Sequence, residues 1–148
     1  LKVKKLNPNA ILPTYATDDS GCFDLYVCME PKETAYFHMT HGTPSIIPTG
    51  LSFEIPAGWA MMIYSRSGHG FAKNTRLANC VGVVDADFRG EVKIKLTRDN
   101  ADGGELIFKH GDRIAQAMLI PVQRVSFVEV EELSETARGT GGMGSTGA

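Results

Sequence analysis

The chain has 148 residues, of which 43% are apolar and 22% are charged, and this is typical of one globular domain with a single core. The formal net charge of −2 gives no electrostatic reason to expect a nucleic acid or an anionic membrane as a partner. No apolar run approaches the roughly 20 residues that a helix needs to cross a bilayer. Any phosphate-bearing ligand must therefore be bound by a local group of residues.

Cysteine and histidine residues are few, and their spacing does not indicate a metal site. Cys22, Cys28 and Cys80 are odd in number and sparse, which is typical of reduced thiols in a cytosolic protein. His38 and His41 have no obvious cysteine or carboxylate partners, so no metal ligands from the protein are expected. The N-terminal LKVKKLNP is too polar for the core of a signal peptide, and we therefore expect a cytoplasmic location.

Short apolar runs separated by turn sequences predict an all-β fold. Alternation is clearest in residues 91–96, where every second residue is apolar and so lies on one face of a strand. In chain order, the predicted strands are residues 23–27, 51–55, 59–64, 77–84, 91–96, 105–108, 114–122 and 126–130. One short helix is predicted at residues 67–74, and the sequence contains no repeat.

The composition changes close to residue 133. Residues 1–132 carry the strand patterns and form the predicted domain, whereas residues 133–148 are rich in glycine and have almost nothing to bury. Such a segment cannot offset its own ordering entropy, so we expect it to be mobile in the free protein. Two interpretations remain open. The segment is either a disordered tail or an arm that orders over an anion, with charge from Arg138 and N–H groups from the glycines.

Two polar stretches lie where predicted strands end. Arg66-Ser67-Gly68 precedes the predicted helix and offers a guanidinium, a hydroxyl and exposed N–H groups to an anion, although Ser-Gly also simply ends strands and caps helices. Asp85 and Asp87 follow an apolar run and are either turn formers or include a general base for hydrolysis. The two carboxylates point to the same side if the strand continues, whereas a turn would separate them.

Two further polar residues lie within predicted strands. Asp24 interrupts an apolar strand and needs a partner or a cation nearby. Gln116 follows the turn sequence Gly111-Asp112-Arg113 and needs hydrogen-bond partners if the strand is buried. Either residue could serve the structure or a binding site.

Taken in order, five segments resemble the five motifs of the trimeric dUTPase family: residues 19–25, 66–68, 79–90, 111–116 and 138–147. The resemblance covers nearly the whole chain in family-like order and spacing. It implies a distorted jelly-roll fold with one short helix and a flexible C-terminal arm, residues 133–148, that closes over a neighbouring active site. It also implies a homotrimer with active sites at the subunit interfaces. The expected location is the cytoplasm, or the host cytoplasm if a phage encodes the protein.

The implied reaction is hydrolysis of dUTP to dUMP and pyrophosphate, which keeps uracil out of DNA and supplies dUMP for thymidylate synthesis. By resemblance, Asp85 orients and deprotonates the water that attacks the α-phosphorus in line. Mg²⁺ would be held mainly by triphosphate oxygens and waters, as suits an ion that dehydrates reluctantly, and Asp24 would at most contact it through water. Nucleic acid and membrane are not expected as partners.

The resemblance also assigns the substrate contacts. The uracil edge would be bound by Asn79 and by main-chain groups of the strand that contains Gly82, Val83 and Val84. Phe88, where the family often has tyrosine, would lie against the deoxyribose and exclude a 2′-hydroxyl, and Lys93 lies near a further contact. The phosphate contacts would come from Arg66, Ser67, Gly68 and Gln116, and from Arg138, Ser145 and Thr146 of another subunit's arm.

Three residues depart from the family pattern. Met143 replaces the aromatic residue of the fifth motif that stacks on uracil, and its thioether can cover a ring less rigidly. Cys22 replaces a common glycine, and Phe88 lacks a phenol hydroxyl. None of these departures alters Asp85, so catalysis is still expected.

Two other functions, a dCTP deaminase and a catalytically silent trimer, fit the sequence less well. A dCTP deaminase shares the fold but needs a catalytic Glu near the pyrimidine amine, and the strand after Phe88 offers no inward acid beyond Glu91. A catalytically silent trimer with a regulatory role would not be expected to keep the polar residues of all five motifs.

Overall fold

The computed structural model describes residues 1–32, 35–100 and 106–142. Within these ranges it has twelve strands and one helix. In chain order they are β1 (Lys2–Lys5), β2 (Thr14–Tyr15), β3 (Phe23–Tyr26), β4 (Phe37–Met39), β5 (Ser45–Pro48), β6 (Leu51–Glu54), β7 (Trp59–Tyr64), α1 (Ser67–Lys73), β8 (Thr75–Leu77), β9 (Gly82–Val84), β10 (Lys93–Arg98), β11 (Leu106–Phe108) and β12 (Arg113–Pro121). The predicted all-β fold with one short helix is confirmed.

The strands form one five-stranded sheet and three smaller ones. The large sheet has the order β2-β3-β12-β7-β9, and the others are β5-β10-β8, β1-β6 and β11-β4. All of these pairs are antiparallel. Because β12 lies in the middle of the large sheet, its residue Gln116 is opposite Asp24 on one side and Tyr64 on the other.

The core is built from one face of most strands. In β10, Ile94 and Leu96 are buried whereas Lys93 and Lys95 are exposed, so the predicted alternation is confirmed. The helix α1 buries none of its residues, and the sheets therefore supply the packing. The largest fully buried apolar side chains are Val27, Leu25, Met39, Ile47, Leu51, Met61, Leu77, Ile94, Leu96 and Ile114.

Two predicted strands are wrong. Residues 77–84 are not continuous, because a turn separates β8 from β9 and Cys80 in this turn has a positive φ of 62°. Residues 126–130 form no strand within this chain, because the structure gives them no strand partner among its described residues. Four short strands, β1, β2, β4 and β5, were missed. Residue 105, the predicted start of β11, lies outside the described residues.

The positive φ of Cys80 leads to a prediction about stability. An L-residue in the left-handed region costs about 1–2 kcal/mol relative to glycine, and glycine loses up to about 1 kcal/mol more chain entropy on folding. We expect Cys80→Gly to raise the free energy of unfolding by roughly 0.5 kcal/mol, measured by urea denaturation at one protein concentration. Gly58→Ala, at φ 81°, is the matched control and should be destabilising. A destabilised Cys80→Gly variant would contradict this account.

The described residues contain no helix that is long and apolar enough to cross a membrane. The helix α1 has 7 residues.

Candidate active site

The first group of predicted site residues lies on β9, in the turns on either side of it and at the start of β10. The strand β9 pairs with β7, with Met61 opposite Val84 and Ile63 opposite Gly82. The cavity beside this strand-turn-strand stretch has a volume of about 310 Å³, and we refer to it as the hairpin cavity. Its lining includes seven residues predicted to bind or transform substrate: Asn79, Gly82, Val83, Val84, Asp85, Phe88 and Lys93. One local stretch of chain thus brings these residues together.

Hydrogen bonds to main-chain carbonyls hold the turn that carries Asp85 and Phe88. The amide of Phe88 donates to the carbonyl of Asp85 (3.2 Å). The guanidinium of Arg89 donates to the carbonyls of Ala86 (2.6 Å) and Phe88 (3.0 Å). Ser52 on β6 donates its hydroxyl to the carbonyl of Arg89 (2.7 Å). The turn also ends the strand, so Asp85 and Asp87 are not alternate residues of one continuous β-strand.

Glu91 lines the hairpin cavity but was not predicted as a site residue. One carboxylate oxygen accepts a hydrogen bond from the amide of Gly50 (2.9 Å), and the other lies 3.5 Å from the ammonium of Lys93. The hydroxyl of Thr49 donates to the carbonyl of Val92 (2.6 Å). Glu91 therefore attaches the start of β10 to the loop before β6. In the sequence, the position of Glu91 at the start of the alternating stretch 91–96 was the only indication of this role.

A second group of predicted residues lies where β7 runs into α1. The guanidinium of Arg66 donates to one oxygen of Asp24 (3.0 Å), and that of Arg113 donates to the other (3.3 Å). The Asp24 side chain is only 8% exposed, so the partner that the sequence demanded is a pair of arginines. Gln116 donates its amide to the carbonyl of Ser65 (3.0 Å). Ser67 and Gly68 follow at the start of α1 and are exposed.

A small cavity of about 240 Å³ lies beside this second group, and we refer to it as the basic cavity. It is lined by Arg66, His69, Lys73, Ile107, Phe108, Asp112 and Arg113. Burial, reinforced by the charges of Arg66 and Lys73, lowers the pKa of His69 below its usual value, which favours the neutral imidazole. The ring of His69 lies edge-on to Phe108 at 5.3 Å. No pattern in the sequence singles out this histidine.

The two groups lie at different ends of β7. Asp85 comes directly after Val84, which is opposite Met61, whereas Arg66 follows Met61 by five residues. At about 3.3 Å per residue, the main chain of Val84 is separated from that of Arg66 by roughly 16 Å along the strand, and Asp85 lies one residue further away. None of the described residues lines both the hairpin cavity and the basic cavity. In one chain, therefore, Asp85 and Arg66 do not face one pocket.

The sequence matches the profile of the dUTPase family over residues 8–147. The chain belongs to the dUTPase family. It is 41% identical to the deoxyuridine 5′-triphosphate nucleotidohydrolase of Nautilia profundicola, an alignment that covers 99% of this chain and 98% of the relative. It is 39% identical to the enzyme of the same name from Hydrogenobaculum sp., with coverage of 99% and 97%. The predicted family and enzyme class, dUTP diphosphatase, are confirmed.

The fold is also similar to solved dUTPase structures. A variant of the Staphylococcus bacteriophage 80alpha dUTPase with dUpNHpp gives a TM-score of 0.82 at 22% identity, covering 99% of this chain and 98% of that one. A variant of the dUTPase from phage phi11 of S. aureus, described with a coordinated structural Mg(II) ion, gives 0.75 at 20% identity, covering 88% and 96%. At these identities the likeness concerns the fold, and it confirms the predicted dUTPase fold class.

The dUTPase motif at the C-terminus is only partly described. Arg138 is exposed, and its guanidinium donates to the carbonyl of Gly141 (2.9 Å). The amide of Gly139 donates to the carbonyl of Thr136 (3.0 Å). Arg138 lines neither the hairpin cavity nor the basic cavity. Three predicted contacts lie outside the described residues: Met143, Ser145 and Thr146.

No cluster of three His, Cys, Asp or Glu side chains in the described part of the dUTPase chain is arranged to hold a metal ion. Asp24 is a buried carboxylate that contacts Arg66, a predicted phosphate contact, and each of its two oxygens accepts a hydrogen bond from an arginine. Mg²⁺ bound directly to this carboxylate would have to displace them.

The burial of Asp24 leads to a stability prediction. Asp24→Asn removes a negative charge that balances two guanidinium groups, and we expect a loss of about 2 kcal/mol in the free energy of unfolding. Urea denaturation at a fixed protein concentration measures this loss. Glu54→Gln is the control, because its ion pair with Lys2 is exposed and should contribute little. Equal effects of the two substitutions would mean that the buried cluster is not stabilising.

Proposed function

We propose that this dUTPase-family chain hydrolyses dUTP to dUMP and pyrophosphate by in-line attack of water on the α-phosphorus, with Asp85 as the general base. The observation that carries the proposal is the hairpin cavity, where Asp85 borders the same space as Asn79, Phe88 and Lys93. The carboxylate of Asp85 is exposed and has no hydrogen-bond or ion-pair partner among the described residues. It is therefore free to accept a proton from water.

We assign uracil binding to the strand side of the hairpin cavity. Unpaired main-chain groups at the edge strand β9 are suitable partners for the pyrimidine edge, and Asn79 adds a side-chain amide at the turn before it. Phe88 lines the same cavity, and we assign its ring to a position against the deoxyribose. A ring in that position rejects a 2′-hydroxyl by steric exclusion rather than by a lost hydrogen bond.

The phosphates are assigned to Arg66, Ser67, Gly68 and Gln116, with Arg138, Ser145 and Thr146 supplied by an arm, residues 133–148. Arg66 and Arg113 bring two positive charges against one carboxylate, which leaves net positive charge for an anion. Mg²⁺ would be held mainly by phosphate oxygens and waters, and Asp24 would contact it only through water. The ion would supply charge neutralisation on the leaving pyrophosphate, and Met143 would cover the uracil.

We further propose a homotrimer whose active sites lie between subunits. The separation of Asp85 from Arg66 within one chain supports a complete site that takes them from two copies. The segment 122–133 also carries apolar side chains that are exposed in one chain. Val125, Phe127 and Val128 are 68%, 95% and 78% exposed, and such a run indicates burial against another chain.

Pyrophosphate release from dUTP, dCTP, dTTP and UTP, measured in parallel with Mg²⁺ and with EDTA, tests the proposed substrate. We expect fast release from dUTP alone, and only with Mg²⁺. Ammonia release from dCTP would instead indicate a deaminase, although the carboxylate of Glu91 is already held by Gly50 and Lys93. Folded protein that turns over none of the four nucleotides would indicate a silent binding trimer.

A further inference from the structure

The ring of Phe88 lies directly over the backbone of Gly90. A Cβ atom at Gly90 would be 2.6 Å from Cζ of this ring, 3.0 Å from Cε2 and 3.4 Å from Cε1. Carbon atoms that are not bonded normally approach to about 3.5–4.0 Å, so no side chain fits at position 90 while the ring stays in place. The backbone itself does not require glycine here, because the φ of Gly90 is outside the left-handed region.

Of the two residues in this contact, Phe88 lines the hairpin cavity and Gly90 does not. The ring is 44% exposed, and deep packing therefore does not determine its position. The turn beneath it is fixed by the hydrogen bonds of Arg89 to the carbonyls of Ala86 and Phe88. The distance between the ring and the backbone is therefore determined by the contact with Gly90.

We propose that Gly90 is a positioning residue for pentose selection. Because Gly90 has no side chain, the Phe88 ring can lie close to the backbone of residue 90 and leave room for deoxyribose. The inference rests on the proposed function, in which the hairpin cavity holds the nucleoside. A methyl group at position 90 would require the tip of the ring to move by about 1 Å. Because the ring lines the hairpin cavity, we infer that it would move into the space for the sugar. The pocket for the sugar becomes smaller, while the backbone keeps its conformation since only the end of an exposed side chain must move.

Gly90→Ala is therefore expected to lower kcat/KM for dUTP roughly tenfold, mainly through a higher KM, because a displacement of about 1 Å is sufficient for such losses. A smaller pocket rejects the bulkier ribose at least as strongly as deoxyribose, so the ratio of kcat/KM for dUTP to that for UTP should not decrease. Gly70→Ala is the matched control, since a Cβ there meets no atom within 4 Å and should leave both values unchanged. Thermal unfolding of the Gly90→Ala variant should match that of the parent protein.

A double-mutant cycle separates positioning of the ring from a general effect on the backbone. In a Phe88→Ala background, the added methyl group has no ring to displace, and Gly90→Ala should change kcat/KM less than twofold. An equal loss in both backgrounds, or no loss in either, overturns the inference. Calorimetric binding of dUDP and UDP reads the same cycle without turnover. Protein that binds dUDP but does not hydrolyse dUTP would therefore contradict the proposed function and still decide the role of Gly90.

Discussion

Replacing Asp85 with asparagine is expected to lower kcat for dUTP about a thousandfold, because general-base catalysis contributes on the order of 10²–10⁴ to the rate. The substitution keeps the size of the side chain and removes only its ability to take a proton from water. The carboxylate is exposed and unpaired within the described ranges, so the fold should be unaffected. Binding of a non-hydrolysable dUTP analogue should therefore change less than threefold, and calorimetry measures this directly.

Asp87→Asn provides the control for Asp85→Asn. Asp87 is an exposed carboxylate of the same turn. Both carboxylates border a neighbouring cavity with Trp59 and Arg124, but only Asp85 also lines the hairpin cavity. We expect its substitution to lower kcat only severalfold. If Asp85→Asn weakened binding as strongly as turnover, Asp85 would have a structural role. A thousandfold loss with Asp87→Asn alone would move the general base to that residue.

The sequence predicted which residues come together where the candidate site is local in the chain. Residues 79–93 comprise the turn before β9, β9 itself, the turn after it and the start of β10, so a motif that is continuous in sequence is also continuous in space. The alternation of residues 91–96 predicted β10 because one of its faces is buried and the other is exposed. The prediction of β8 and β9 as one strand failed because Cys80 occupies a left-handed conformation that only glycine or asparagine usually signals.

Pairing between distant segments could not be predicted in the same way. The sequence indicated that Asp24 needs a partner, but Arg66 and Arg113 lie 42 and 89 residues away. Only the order of β3, β12 and β7 in the sheet brings them to one carboxylate. The apolar pattern at residues 126–130 indicates side chains that need to be buried, and it predicted a strand. Within the single chain these residues have no partner strand among the described residues. We attribute this wrong prediction to a partner strand in another subunit of the proposed trimer.

If the active sites are shared between subunits, mixing two inactive variants should produce an active enzyme. An Asp85→Asn chain keeps Arg66, and an Arg66→Gln chain keeps Asp85. We expect each variant alone to retain at most about 1% of the parent activity. Random mixing at equal amounts should restore about a quarter of the active sites, because a site is intact when its two chains each contribute the unaltered residue. Glutamine at position 66 keeps a donor for Asp24, which limits damage to the fold.

The measurement is the rate of pyrophosphate release after the two chains are co-refolded, with native mass spectrometry to show that mixed trimers have formed. A mixture of Asp85→Asn with Asp85→Ala is the control, since every site then lacks the carboxylate, and it should remain inactive. Mixed trimers without activity would mean that Asp85 and Arg66 act within one chain, despite the roughly 16 Å of strand between them. Restored activity would instead explain why one sequence contains all five family motifs although one chain forms no complete pocket. The hairpin cavity and the basic cavity would then be two halves of one site that meet only in the assembled enzyme.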